Sequence, residues 1–226
     1  MYFSRIRIVA LAFTAGAFSL STAHASNYTE TFEGATASNA GYYSGTIPNT
    51  ALEVLSGPVY ITPAGGTHGN ALDLTSGWYA ANFDYVNTHV GSTMVRSIEA
   101  FDLLAAYTYS FSFDYSRQLF SAGNGPFATS ITASLGSHSV TYDDVAGFYY
   151  GANWQTSSST WTQQTTELGA HIVFTATGPD GYSGMLVDNI SSVGLPPAAP
   201  VPEPSTWALL LGGLGAMILL SKRAHF

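Results

Sequence analysis

The chain has 226 residues, a formal charge of −8 and 9 % charged residues, against roughly a quarter in an ordinary globular protein. Its basic residues are Arg5, Arg7, Arg96, Arg117, Lys222 and Arg223, so residues 26–200 hold two arginines and no lysine against thirteen carboxylates. Phosphate binding needs clustered Lys/Arg, which excludes nucleic acid as a partner. The absence of cysteine excludes disulfides, thiol catalysis and Cys-ligated zinc.

At the N-terminus, Arg5 and Arg7 precede an apolar run, Ile8–Leu20, and then Ser-Thr-Ala23-His24-Ala25. A basic start, a short apolar run and a small-x-small site are the three parts of a secretory signal. The run spans only ~20 Å as a helix, less than the ~30 Å core of a bilayer. Residues 1–25 are therefore expected to be a signal helix, removed by signal peptidase after Ala25, with Ala23 and Ala25 as its small positions.

From Ser26 to Leu195 the composition is Ser, Thr, Gly, Asn and aromatics, with period-2 alternation and no long helical period. The clearest strand is Tyr107-Thr-Tyr109-Ser-Phe111-Ser-Phe113-Asp-Tyr115-Ser, which sets five aromatics on one face and small polar groups on the other. Further strands are expected at Tyr28–Glu33, Leu52–Leu55, Val59–Thr62, Ala71–Leu74, Met94–Phe101, Ala128–Leu135, Ser139–Asp143, Thr160–Thr166, Ile172–Thr177 and Met185–Val193. Turn clusters at Gly65-Gly66, Gly123-Asn124-Gly125-Pro126 and Gly178-Pro179-Asp180-Gly181 separate them. Only Phe101–Ala106 has room for a helical turn. The fold class that follows is all-β, an antiparallel β-sandwich of residues 26–195.

Residues 196–204 form a proline-rich linker, Pro196-Pro197-Ala-Ala-Pro200-Val-Pro202-Glu203-Pro204, stiff and extended. An apolar helix is expected over 205–221, with Lys222 and Arg223 as a stop-transfer pair in a basic cytoplasmic tail, 222–226. This transmembrane helix is short. Its fourteen apolar residues, Trp207–Leu220, contain Gly212, Gly213 and Gly215, each costing ~1 kcal/mol relative to alanine. It suits a transient anchor better than a permanent one.

Val201-Pro202-Glu203-Pro204-Ser-Thr-Trp207, a glycine-rich helix and a basic end together resemble the PEP-CTERM sorting signal. The resemblance maps that family's triplet onto Pro202, Glu203 and Pro204. It implies recognition by an exosortase, a membrane transpeptidase, and delivery to the envelope, surface or exopolysaccharide matrix of a Gram-negative-type bacterium. The order Thr31-Phe32-Glu33-Gly34, Gly69-Asn70-Ala71-Leu72-Asp73-Leu74, Phe101–Tyr115 and Gly184-Met-Leu-Val-Asp188-Asn189-Ile190 is similar to galactose-binding-like jelly rolls related to carbohydrate-binding modules. That resemblance implies a structural Ca²⁺ on Glu33 and Asp188, with Asp73 as a third carboxylate. The residues alone leave open that these are solvated edge carboxylates.

Catalytic signatures are absent. Asp143-Asp144 is the one adjacent carboxylate pair, and neighbours on a strand point to opposite faces. His68, His89, His138 and His171 show no metal-ligand spacing, and no Gly-x-Ser-x-Gly occurs. The chain is expected not to be an enzyme, a divergent polysaccharide hydrolase being the remote alternative. A glycan-binding role needs exposed aromatics beside polar groups. Trp78, Tyr79, Tyr149, Tyr150 and Trp154, in glycine-flanked stretches, are the candidates. Asn27 and Asn189 open Asn-x-Ser/Thr triplets.

Overall fold

The structure, a computed structural model, describes residues 27–42, 44–64, 66–75, 92–119, 130–143, 147–149, 153–177, 183–198 and 204–223. The expected signal segment, with Ala23 and Ala25, lies outside them, as do Pro202 and Glu203. In chain order the strands are β1 (Tyr28–Glu30), β2 (Ser38–Tyr42), β3 (Gly45–Thr46), β4 (Leu52–Ser56), β5 (Val59–Pro63), β6 (Asn70–Thr75), β7 (Ser92–Ser97) and β8 (Phe101–Leu103). There follow β9 (Thr108–Leu119), β10 (Ser130–Leu135), β11 (His138–Tyr142), β12 (Gly147–Tyr149), β13 (Gln155–Thr162), β14 (Glu167–Ala170), β15 (Ile172–Thr177) and β16 (Ser183–Leu195). A 3-10 turn, Gly66–His68, joins β5 to β6, and one helix, α1 (Pro204–Arg223), ends the described chain.

One sheet runs β12-β9-β16-β6-β5-β2, with β1 also on β16 and β13 also on β9. The other runs β11-β10-β15-β7-β4-β3, and β8 pairs β14 apart from both. Every pair is antiparallel except β12 on β9.

The aromatic ladder of β9 is what joins the two sheets. Alternation turns Tyr109, Phe111, Phe113 and Tyr115 inward, and all four are buried. Phe113 meets Phe174 of β15 edge to face at 5.1 Å, Phe111 meets the same ring at 6.2 Å, and Tyr115 stacks on Tyr142 of β11 at 4.5 Å. Aromatic pairs of this kind contribute about 0.5–1.5 kcal/mol beyond the area they bury. Leu52, Val54, Leu72, Leu74, Val95, Ile131, Leu135, Ile172, Met185 and Val187 complete the same core from both sheets. This is the expected antiparallel β-sandwich.

Several boundaries move. The single strand expected at Met94–Phe101 is two, β7 and β8, because Ser97 turns the chain: its hydroxyl donates to Glu99 O and accepts from Ile172 N–H. Phe101–Ala106, expected to hold a helical turn, begins as β8. The strand expected at Tyr28–Glu33 stops at Glu30, where the side chain accepts from the N–H groups of Phe32 and Ala51. The strand expected at Thr160–Thr166 lies earlier, as β13, in unbroken register with β9.

The C-terminal helix is present and starts at Pro204, whose fixed φ and missing N–H suit a first helical position. It continues through Lys222 and Arg223, which were expected beyond its end. The expectation of a transmembrane helix at 205–221 is corrected: among the described residues no helix is long and apolar enough to cross a membrane. The reason is visible in composition, since three glycines and polar ends leave too short an apolar stretch. Leu209, Leu210, Leu211, Leu214 and Met217 are nonetheless exposed.

Candidate functional site

On the β9–β16–β6–β5 sheet, the face turned away from the aromatic core is also buried in part. Tyr60, Asp73, Leu186, Ser116 and Asp188 point outward by alternation, and each is at most 1 % exposed. Register aligns them: Tyr60 opposes Asp73, Asp73 opposes Leu186, Leu186 opposes Ser116, and Asp188 opposes Asp114.

The polar end of this band is built by a bulge. Pairing of β16 with β9 slips between Asp188 and Ser191, and Asn189 takes φ 49°, a left-handed conformation that asparagine tolerates better than most residues. The slip keeps Asp188 outward, leaves Ile190 inward, and puts the Asn189 side chain over β9. Asn189 Nδ2 donates to Asp114 Oδ2 at 2.8 Å.

His68, from the 3-10 turn, lies over both carboxylates. Its Nδ1 is 3.0 Å from Asp188 Oδ2 and 3.9 Å from Asp114 Oδ2. With Asp188 ionised the carboxylate only accepts, so Nδ1 then carries the proton and donates to it. Asp188 Oδ1 accepts the Asn189 backbone N–H at 2.7 Å. Trp154, just before β13, stacks on the imidazole at 4.0 Å and 17°. Its indole Nε1–H is buried and has no hydrogen-bond partner among the described residues. Burial, and secondarily the charge of Glu33, push the Asp188 carboxyl above the usual carboxylate range, while the Asn189 N–H and His68 oppose the rise.

Glu33 reaches the cluster because residue 69 is glycine. A Cβ there would collide with the Glu33 carboxylate oxygens, and Gly69 sits at φ 45° besides. The structure therefore brings Glu33, Asp188 and Trp154 to one end of the sheet, and places Asp73 on the same face. Trp78, Tyr79 and Tyr150 lie outside the described residues, and Tyr149 is placed in β12. Among the described residues no group of three or more histidine or acidic side chains is arranged to hold a metal. His68 and Asp114 were not singled out as a site by sequence, and nothing local marks them; Asn189 was marked only by its Asn-x-Ser triplet. Asp143 is exposed beyond β11, and Asp144 and His89 lie outside the described residues. The other histidines serve packing: His138 stacks on Trp161 at 3.9 Å, and His171 Nδ1 donates to Ser97 O.

The tail carries the most specific signal. Residues 200–224 match the PEP-CTERM protein-sorting motif. The motif implies export and sorting at the cell envelope. No curated protein matches the chain. Solved structures similar to it include a cyclase from Fischerella sp. TAU in complex with 4-(1H-indol-3-yl)butan-2-one, 12 % identical over 75 % of this chain and 96 % of that one, with a TM-score of 0.45. The CBM22-1 xylan-binding domain of Paenibacillus barcinonensis Xyn10C is 14 % identical over 73 % of this chain and 99 % of that one, with a TM-score of 0.34. Such likeness goes no further than a general β-rich architecture.

Proposed function

We propose that this is an exported, non-enzymatic protein of a Gram-negative-type envelope. In this reading signal peptidase removes residues 1–25, and an exosortase recognises Pro202-Glu203-Pro204 and cuts the chain from its C-terminal helix. The released jelly-roll sandwich then has a structural or adhesive role in an exopolysaccharide or biofilm matrix. The observation that carries it is the sorting motif at 200–224, joined to the sandwich by the proline-rich linker. A helix whose apolar stretch is ~21 Å long is a handle for processing, held at the membrane only until the cut is made. Intact mass spectrometry of protein recovered from its native cell surface tests this. The expected mass ends near Pro202, with any attached group as the difference; a mass ending at Phe226 would overturn it.

A structural Ca²⁺ at Glu33 and Asp188 belongs to the same proposal. Buried Asp188 and the neighbouring Glu33 carboxylate, whose charge adds to the rise in the Asp188 carboxyl, are the hard oxygen ligands such an ion takes, with backbone carbonyls completing the set. Ligand binding at a hundredfold excess over Kd stabilises by ~2.7 kcal/mol. For a domain of this size that is a rise in Tm of roughly 5–10 °C. EDTA is expected to remove that increment, and an unchanged Tm would dispose of the ion.

Glycan binding is the second reading, and the Trp154 indole favours it. A buried N–H without an acceptor is costly, and a sugar hydroxyl beside the His68–Trp154 stack would supply one. Exopolysaccharide is the expected ligand. Trp154→Ala should weaken retention on immobilised polysaccharide by roughly tenfold or more, ~1.4 kcal/mol. Absence of binding by the wild-type chain across a broad glycan panel would remove this reading and leave the first intact.

A further inference from the structure

Sheet edges invite pairing with other chains, and proteins ordinarily blunt them with lysine, proline, bulges or short strands. Three of the edges here conform. β3 is two residues long, β2 slips register against β5 between Ser38 and Tyr42, and β12 is three residues long. β13 does not conform. It is eight residues long, Gln-Thr-Ser-Ser-Ser-Thr-Trp-Thr, with no charge, proline or glycine. It pairs with β9 without a slip from Gln155 opposite Tyr115 to Thr162 opposite Thr108. Among the described residues no strand lies on its other side.

The strand is held ready from beneath. Tyr142 of β11 donates to Ser157 Oγ at 2.9 Å, His138 Nε2 lies 3.3 Å from Ser159 Oγ, and Trp161 stacks on His138. These contacts tie β13 to the second sheet, so little conformational freedom is left for a partner strand to remove. The outer hydroxyls stay at the surface: Thr156, Ser158, Thr160 and Thr162 are exposed.

We infer that β13 pairs antiparallel with β13 of a second copy of this chain, about a two-fold axis at Ser158. The sequence around that residue, Thr156-Ser157-Ser158-Ser159-Thr160, reads the same in both directions. A two-fold contact is self-complementary, so each residue must suit its mirror position. With the axis at Ser158, Thr156 faces Thr160 of the second copy and Ser157 faces Ser159 of the second copy. Residues on one face of the sheet stay on that face. The pairs so made are hydroxyl on hydroxyl, the kind already formed within the chain between Ser110 and Thr160 and between Thr108 and Thr162, each at 3.3 Å. Copies carrying a formal charge of −8 repel at a distance, yet no ionisable group lies on the edge itself. Asp114, one strand further in, already accepts from Thr156 and Asn189. The result is one continuous sheet running through two sandwiches.

The absence of cysteine makes the test direct. Residues facing each other across an antiparallel pair have Cα atoms ~4.5–5.5 Å apart, within the ~4.4–6.8 Å span of a disulfide. The full-length Ser158→Cys chain in detergent is expected to form a covalent dimer under mild oxidation. Ser139→Cys, also exposed but on β11, should form little. Sedimentation velocity should show the wild-type chain dimerising with concentration, and Ser158→Lys, with an unchanged melting temperature, dimerising at least about tenfold more weakly. Cross-linking of Ser158→Cys no faster than Ser139→Cys would overturn the proposal. So would a dimer that Ser158→Lys leaves intact, or a wild-type chain that stays monomeric at the highest soluble concentration.

Discussion

Replacing Phe113 by alanine is expected to cost about 3–5 kcal/mol, the range for deleting a large buried aromatic. Phe113 is 1 % exposed and touches four rings: Phe111 at 5.5 Å, Tyr115 at 5.9 Å, Tyr142 at 6.4 Å and Phe174 at 5.1 Å. Those rings come from three strands in two sheets, so the void would open where the sheets meet, with no single flexible side chain to fill it. A domain's whole stability is only about 5–15 kcal/mol, and the variant should sit close to unfolding at 37 °C. Urea denaturation with a shared m-value reads the loss. The neighbouring change Ser112→Ala, on the opposite face of the same strand, should stay within about 0.5 kcal/mol. A loss below about 1 kcal/mol for Phe113→Ala would mean that β9 does not join the sheets as described.

His68→Ala is the second large effect, and it carries a pH signature. Asp188 is buried, and the imidazole donates its Nδ1 hydrogen to it. Removing that donor leaves a buried carboxylate with one hydrogen bond fewer, a loss of about 2–3 kcal/mol near pH 7. The sign with pH follows from the direction of the Asp188 shift. Its folded pKa is raised, chiefly by desolvation. Its contribution is therefore fully present below the unfolded carboxylate value and falls as pH rises through the folded one. His68 opposes that rise, so its removal pushes the carboxyl higher still and steepens the fall. The gap between wild type and His68→Ala should be smallest near pH 4 and grow toward pH 7. Asp188→Asn keeps the size of the side chain and removes the charge, and should flatten this part of the curve. A gap of the same size at pH 4 and pH 7 would mean that His68 acts by packing on Trp154 alone.

The core and the site differ in how they are written in the chain. The β9 ladder is local: Tyr109, Phe111, Phe113 and Tyr115, at every second position, state both the strand and its buried face. The broken strand at Ser97 was hidden, because what ends it is a hydrogen bond from Ile172, seventy-five residues away. The site was half legible. Glu33, Asp188 and Trp154 could be named from short motifs, but His68 meets Asp188 across 120 residues and Asn189 meets Asp114 across 75. An aspartate at an outward strand position looks the same in sequence whether the face above it is open or covered.

By itself the sequence determined the C-terminal sorting motif and the period of this protein. A sorting motif and a two-residue alternation are contiguous patterns, and their physics, a stiff proline linker, a short apolar helix and a pleated strand, needs no distant partner. Only the tertiary structure decided which carboxylates meet a histidine and which sheet edge carries a long, unbroken strand. Both depend on strand register, set by a bulge at Asn189 and an unbroken ladder along β13, and register is a property of two segments that the chain brings together only on folding.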